Sequence, residues 1–130
     1  LEKGGGAVLE EQRVLIVDRS EETREVLRTA LGRHGIKTLA TPRARRGLEL
    51  AREHHPDLIV LDLEVSKADP DQAYATFAGD DEVNQTPTLL LGTARRGDSR
   101  QSDGEFVSKP YHYGPLIRKI EEMLAVRKCA

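Results

Sequence analysis

At 130 residues the chain has the length of one ordinary domain. Hydrophobic residues (38%) suffice for one modest core, and charged residues (32%) nearly cancel to a formal net charge of −2, so the chain lacks the basic footprint that direct nucleic-acid binding leaves. The single cysteine, Cys129, rules out an internal disulfide and fits a cytoplasmic setting, and no apolar run approaches the roughly 18 residues of a membrane span.

Residues 1–11, LEKGGGAVLEE, read as a flexible N-terminal segment or linker, because the Gly4-Gly5-Gly6 run costs too much backbone entropy for a regular element. One folded domain is expected over 12–128. RVLIV (13–17) is a continuous apolar run of strand length. SEETREVLRTALGRHG (20–35) carries Val26, Leu27, Ala30 and Leu31 at helical spacing, with Ser20 as N-cap, Glu21 and Glu22 in the first turn, and Gly35 as a stop. IKTLAT (36–41) is a shorter strand. RARRGLELAREHH (43–55) is a second helix, with Ala44, Leu48 and Ala51 facing inward and Pro56 beyond its end. DLIVLDL (57–63) is another uninterrupted apolar strand, and residues 70–79 form a weaker helix. PTLLLGTA (87–94) is a buried strand and EFVS (105–108) a short one. PLIRKIEEMLAVRK (115–128) is the last helix, with Pro115 in its first turn and Leu116, Ile117, Ile120 and Leu124 as its apolar stripe.

Five strands alternating with helices, several of them apolar throughout, predict a parallel sheet covered on both faces: a three-layer, doubly wound α/β fold. In such sheets ligands bind beyond the carboxyl ends of the strands, near the switch in strand order. The residues at those ends are Asp18, Asp62, Thr93 and Lys109. Two acids, a hydroxyl and an amine have complementary uses. A carboxylate can act as a nucleophile toward phosphorus, and a neighbouring acid can hold a hard cation such as magnesium. A hydroxyl and an ammonium can bind the oxygens of a transferred phosphoryl group.

Four segments, VLIVD ending at Asp18, PDLIVLDL around Asp62, LLLGTA around Thr93 and FVSKPY around Lys109-Pro110, occur in this order on successive strands. Together they resemble the response-regulator receiver domain of two-component signalling, in its chemotaxis-regulator-like form, over about residues 12–127. The resemblance implies a flavodoxin-like strand order 2-1-3-4-5. It implies Asp62 as phosphoacceptor for a histidine kinase or phosphotransfer protein, and Mg2+ held by Asp18 and Asp62. Thr93 and Lys109 would contact the phosphoryl oxygens, and Thr93 and Phe106 would form the switch. Ala94 would be the small residue beside the phosphate, and the Lys109-Pro110 peptide would be cis. Self-phosphorylation from a donor and self-dephosphorylation would be the only chemistry, and a downstream partner or an output domain outside these residues would provide the response.

The sequence departs from that family's pattern at four places. Where the family has two acids in tandem, this chain has Asp18-Arg19; arginine cannot ligate a metal and repels a dication. Its guanidinium either lies near Asp62 and partly replaces the ion, or points to solvent. Glu64, two residues past Asp62, could restore a weak metal ligand, pair with Arg95 to screen the pocket, or be solvated. The loop LEVSKADPD lacks the family's Met-Pro pair and later glycine. Finally, RRGDSRQSDGE (95–105) has no apolar residue, so the fourth helix is expected to be short or absent. These departures leave two readings of one fold: a phosphoryl acceptor with an impaired metal site, and a phosphorylation-independent module for protein interaction. A haloacid-dehalogenase-like phosphatase is a remote third, since DLEVS places Glu64 at the second acid, on the third strand, with no room for a cap. A flavin binder is disfavoured, because no Gly/Ser/Thr loop follows the first strand.

Overall fold

A computed structural model of the protein describes residues 11–65, 70–93 and 105–129. Strands β1 (Arg13–Val17), β2 (Lys37–Thr41), β3 (Leu58–Asp62), β4 (Thr88–Gly92) and β5 (Glu105–Ser108) form one parallel sheet in the order β2-β1-β3-β4-β5. The helices are α1 (Glu21–Gly32), α2 (Ala44–His54), α3 (Pro70–Ala78) and α4 (Tyr113–Cys129), and a 3-10 turn, Leu63–Val65, follows β3. The doubly wound fold and its strand order are as expected. The readings for residues 1–10, for Ala94 and Arg95, and for nearly all of the 95–105 stretch lie outside the described residues.

Local signals account for most boundaries. The Ser20 side chain accepts a hydrogen bond from the Thr23 amide at 3.1 Å and so caps α1. Past the end of α1, Gly35 takes φ +76°, a left-handed conformation that suits glycine, and the chain turns into β2. α4 begins at Tyr113 rather than Pro115, which leaves the proline in the first turn, where its missing N–H breaks no helical bond. β4 stops at Gly92, so Thr93 stands just beyond the sheet.

Alternation along the central strands divides the core in two. Val14, Ile16, Leu58, Val60, Leu89 and Leu91 face α1 and α4, where Leu27, Leu31, Leu116, Ile120 and Leu124 cover them. Leu15, Val17, Ile59, Leu61 and Leu90 face the other way, toward Ala51 and Phe77 of α2 and α3 and Val83 of the following turn. Fully burying one such side chain stabilises by about 1.5–3 kcal/mol, so the sheet is anchored from both faces. Its rigidity in turn fixes the strand ends.

Gly47 is a packing residue that helical spacing did not flag. A Cβ at this position would lie 2.7 Å from Val17 Cγ2 and 3.2 Å from Phe77 Cζ, so α2 rides on β1 and α3 through bare backbone. Gly47→Val should destabilise the domain by on the order of 2 kcal/mol, because Val17 is fully buried and has nowhere to move. Urea unfolding monitored by circular dichroism checks this; a midpoint equal to that of the parent would contradict the close packing.

Candidate functional site

The register of the sheet assembles the site. β1 and β3 pair as Val17↔Leu61, which brings the next residues, Asp18 and Asp62, side by side. β4 and β5 pair as Gly92↔Ser108, which does the same for Thr93 and Lys109, and the Lys109 amide donates to the Gly92 carbonyl at 2.8 Å. All four predicted strand-end residues therefore stand at one edge of the sheet. The Lys109-Pro110 peptide is cis, as the resemblance implied.

Asp18 and Asp62 are both buried, with 2% and 4% of their surface exposed. Each accepts a backbone amide two residues on: Ser20 donates to Asp18 Oδ1 at 2.8 Å, and Glu64 donates to Asp62 Oδ1 at 3.0 Å. These bonds hold each carboxylate against its own turn. Lys109 closes the cluster, with its Nζ donating to both Asp62 oxygens at 3.0 Å and to Glu64 Oε1 at 3.1 Å. Thr93 Oγ1 donates to the other Glu64 oxygen, Oε2, at 3.2 Å.

The charges respond to this arrangement. Burial raises the Asp18 carboxyl from its ordinary 3.8 to about 6; the Ser20 amide opposes the rise, and the adjacent Asp62 carboxylate adds to it. Burial would depress the Lys109 ammonium, but hydrogen bonds to Asp62 and Glu64 and their charges outweigh it and hold Lys109 above its ordinary value. Glu64 is held low by its hydrogen bond from Lys109, against some desolvation, with the Lys109 charge and Thr93 assisting.

The structure bears on two readings of the pocket, and for Arg19 it has the side chain in solvent. Arg19 is exposed and makes no hydrogen bond or ion pair with Asp62 among the described residues; Lys109 is the cation against that carboxylate. With Asp62 already neutralised, the guanidinium would lose hydration without gaining an unpaired anion. Glu64 has both oxygens bound, one by Lys109 and the other by Thr93. Its pairing with Arg95 falls outside the described residues. Phe106 on β5 is half-buried against the face that α2 and α3 cover.

Sequence reasoning missed the wall formed by Thr23, Arg24, Tyr111 and Tyr113. Arg24 Nη1 donates to the Asp18 carbonyl at 3.1 Å, tying α1 to the tip of β1. Thr23 Oγ1 lies 3.1 Å from the Tyr113 hydroxyl, and Tyr111 meets Tyr113 edge-on with ring centroids 6.0 Å apart. The available signal was position: Thr23 and Arg24 lie in the first turn of the helix that leaves Asp18.

The donor set can be tested against a divalent cation. Asp18 and Asp62 stand side by side at the strand ends, both buried, and the Asp62 charge helps to raise the Asp18 carboxyl, a repulsion that positive charge would relieve. Among the described residues no group of three acidic, histidine or cysteine side chains gathers to hold a metal. Magnesium commonly takes one or two carboxylates and keeps several waters, so the pair fits such an ion with a minimal protein contribution.

A carboxylate pair closed by a lysine at the carboxyl edge of a 2-1-3-4-5 sheet is the arrangement of a signalling receiver. The sequence matches the response regulator receiver domain family over residues 14–121, and the chain belongs to that family. It is therefore a receiver domain of two-component signalling. It is 30% identical over 116 residues to the polar-differentiation response regulator DivK of Brucella ovis, covering 85% of this chain and 94% of that protein. The fold is similar to that of chemotaxis protein CheY4 of Vibrio cholerae (TM-score 0.74, 19% identity, 88% of this chain and 99% of that one). It is similar also to a CheY-like receiver from Methanospirillum hungatei (TM-score 0.77, 17% identity, 93% and 100%). Among the described residues no helix is long and apolar enough to cross a membrane.

The raised carboxyl of Asp18 sets a pH dependence. Its folded pKa lies above the unfolded one, so the folded state holds this proton more tightly; the stabilisation is full below the ordinary value of 3.8 and is lost as pH rises to about 6. In chelator at pH 7.5, Asp18→Asn should be more stable than the parent by about 1–2 kcal/mol, with the difference closing toward pH 4. Urea titrations across that range check it; equal stability at pH 7.5 would show that Asp18 carries no ionisation cost.

Proposed function

We propose that this receiver accepts a phosphoryl group on Asp62 from a histidine kinase or phosphotransfer protein, with a weakened magnesium site. The observation that carries this reading is the Asp62 carboxylate itself, buried at the strand end and bound through both oxygens by Lys109. A nucleophile in that position needs a fixed orientation and a cation to offset the charge that accumulates as the phosphoryl group arrives, and Lys109 serves both needs. In the transfer, an Asp62 oxygen attacks phosphorus and the bond from phosphorus to the donor's imidazole nitrogen breaks. The electron pair stays on that nitrogen. The product is an acyl phosphate on Asp62, which water later hydrolyses to carboxylate and inorganic phosphate.

Asp18 and Asp62 would hold the magnesium ion, which when bound neutralises charge on the phosphoryl oxygens. Arg19 stands where the family's second acid would add a ligand, and its fixed positive charge beside Asp18 disfavours a dication. Weak metal binding follows, and phosphorylation is slow in proportion. The same substitution favours a second reading, a receiver that works through protein contacts without phosphorylation. In either case the response passes to a downstream protein partner or output domain through a shift between two conformations of the domain.

Incubation with a small phosphodonor and magnesium, followed by intact mass, separates the two readings. The expected result is a gain of one phosphoryl group that is absent in Asp62→Asn; no gain under any condition would leave the interaction module. Arg19→Asp should raise magnesium affinity by about tenfold or more, since it exchanges a repelling charge for a ligand. Titration calorimetry reads this directly, and equal affinity in both proteins would remove Arg19 as the cause of a weak site.

A further inference from the structure

Glu64 is half exposed, with 51% of its side chain open to solvent, and a carboxylate in that position would normally be left to water. Here both of its oxygens are bound, Oε1 by the Lys109 ammonium at 3.1 Å and Oε2 by the Thr93 hydroxyl at 3.2 Å. The same ammonium holds both oxygens of Asp62. An ammonium and a hydroxyl at the mouth of a buried carboxylate are the donors that oxygens of a group attached to that carboxylate would use. Glu64 already holds them, from a turn that begins directly after Asp62.

We infer that Glu64 is a built-in anion seated on Lys109 and Thr93, which an incoming phosphoryl group must displace. This rests on the reading of Asp62 as phosphoacceptor. A phosphoryl group brings further negative charge and three acceptor oxygens, so it cannot share the seat with a carboxylate without repulsion. Displacement is structurally cheap in one respect: Glu64 lies at the protein surface, and its side chain regains rotamer freedom when it swings into water. It is costly in another, since two hydrogen bonds to an ionised group are given up. Two consequences follow. Anions enter the site weakly while Glu64 is in place, and Thr93 is held toward Lys109 before any phosphoryl group arrives, so the unphosphorylated domain already has part of the arrangement that phosphorylation would otherwise impose.

Removing any nearby negative charge would also help an anion bind, so the test must separate contact from distant repulsion. Glu64→Asp does this: it keeps the charge but loses about 1.5 Å of reach, too short to bridge Thr93 and Lys109 together. Inorganic phosphate is titrated into the full chain and its Glu64→Gln, Glu64→Ala and Glu64→Asp variants, and read by nuclear magnetic resonance at the Thr93 amide and Lys109 Nζ. All three variants should bind phosphate at least about tenfold more tightly than the parent. Equal affinity in the parent and Glu64→Gln would overturn the inference, as would Glu64→Asp behaving like the parent while Glu64→Gln gains. The absence of phosphate binding in every protein at tens of millimolar would overturn it too.

Phosphoryl uptake from a small donor, followed by intact mass in the same four proteins, keeps the two proposals apart. Tighter phosphate binding in the variants with no phosphoryl gain in any protein would leave Glu64 in its seat and remove Asp62 as phosphoacceptor. Equal phosphate affinities with phosphoryl gain in all would do the reverse.

Discussion

The contact on which this site depends is the ion pair between Lys109 and Asp62. A buried carboxylate with only 4% of its surface exposed has lost most of its water and needs hydrogen-bond partners, and the lysine supplies two at 3.0 Å. Neither residue could find the other without the sheet. Asp62 ends β3 and Lys109 follows β5, with β4 between them, so the separation is set by strand spacing and the level by register. The apolar packing on both faces matters to the site for this reason: it fixes the ends of β1, β3, β4 and β5, where Asp18, Asp62, Thr93 and Lys109 stand.

Around that pair the pocket balances charge with little margin. Two acids crowd inside, one of them with its carboxyl pushed up to about 6, and a third acid stands at the mouth. The described cations near them are Lys109, which serves both Asp62 and Glu64, and Arg24, whose contact is with the backbone carbonyl of Asp18 rather than its carboxylate. Arg19 lies outside this balance, exposed to water. Its positive charge stands at the rim, beside the buried Asp18.

The turn Leu63–Val65 is where this receiver takes its individual character. Leu63 is buried against Gly92, and Glu64 is directed outward across Thr93 and Lys109. A one-residue shift of that turn would aim the carboxylate elsewhere. The alternation of buried and exposed residues immediately after β3 therefore decides that this carboxylate reaches Thr93 and Lys109.

Sequence alone determined the architecture and the membership of the strand-end cluster. Apolar runs of strand length, helical spacing in the intervening segments and the Ser20 cap are local properties, and local physics carries them into the fold with little alteration. Asp18, Asp62, Thr93 and Lys109 were legible for the same reason, because a parallel sheet must bring its carboxyl ends to one edge. Tertiary structure alone decided how the side chains were shared. Arg19 and Lys109 are both cations near the same acid in prospect, and only burial and reach chose Lys109. Glu64 meets Thr93 and Lys109, a pairing that its place in the chain did not announce. Gly47 showed its role only when α2 was laid on Val17 and Phe77. Pairings of this kind depend on competition among residues distant in the chain, and no spacing rule encodes the outcome of that competition.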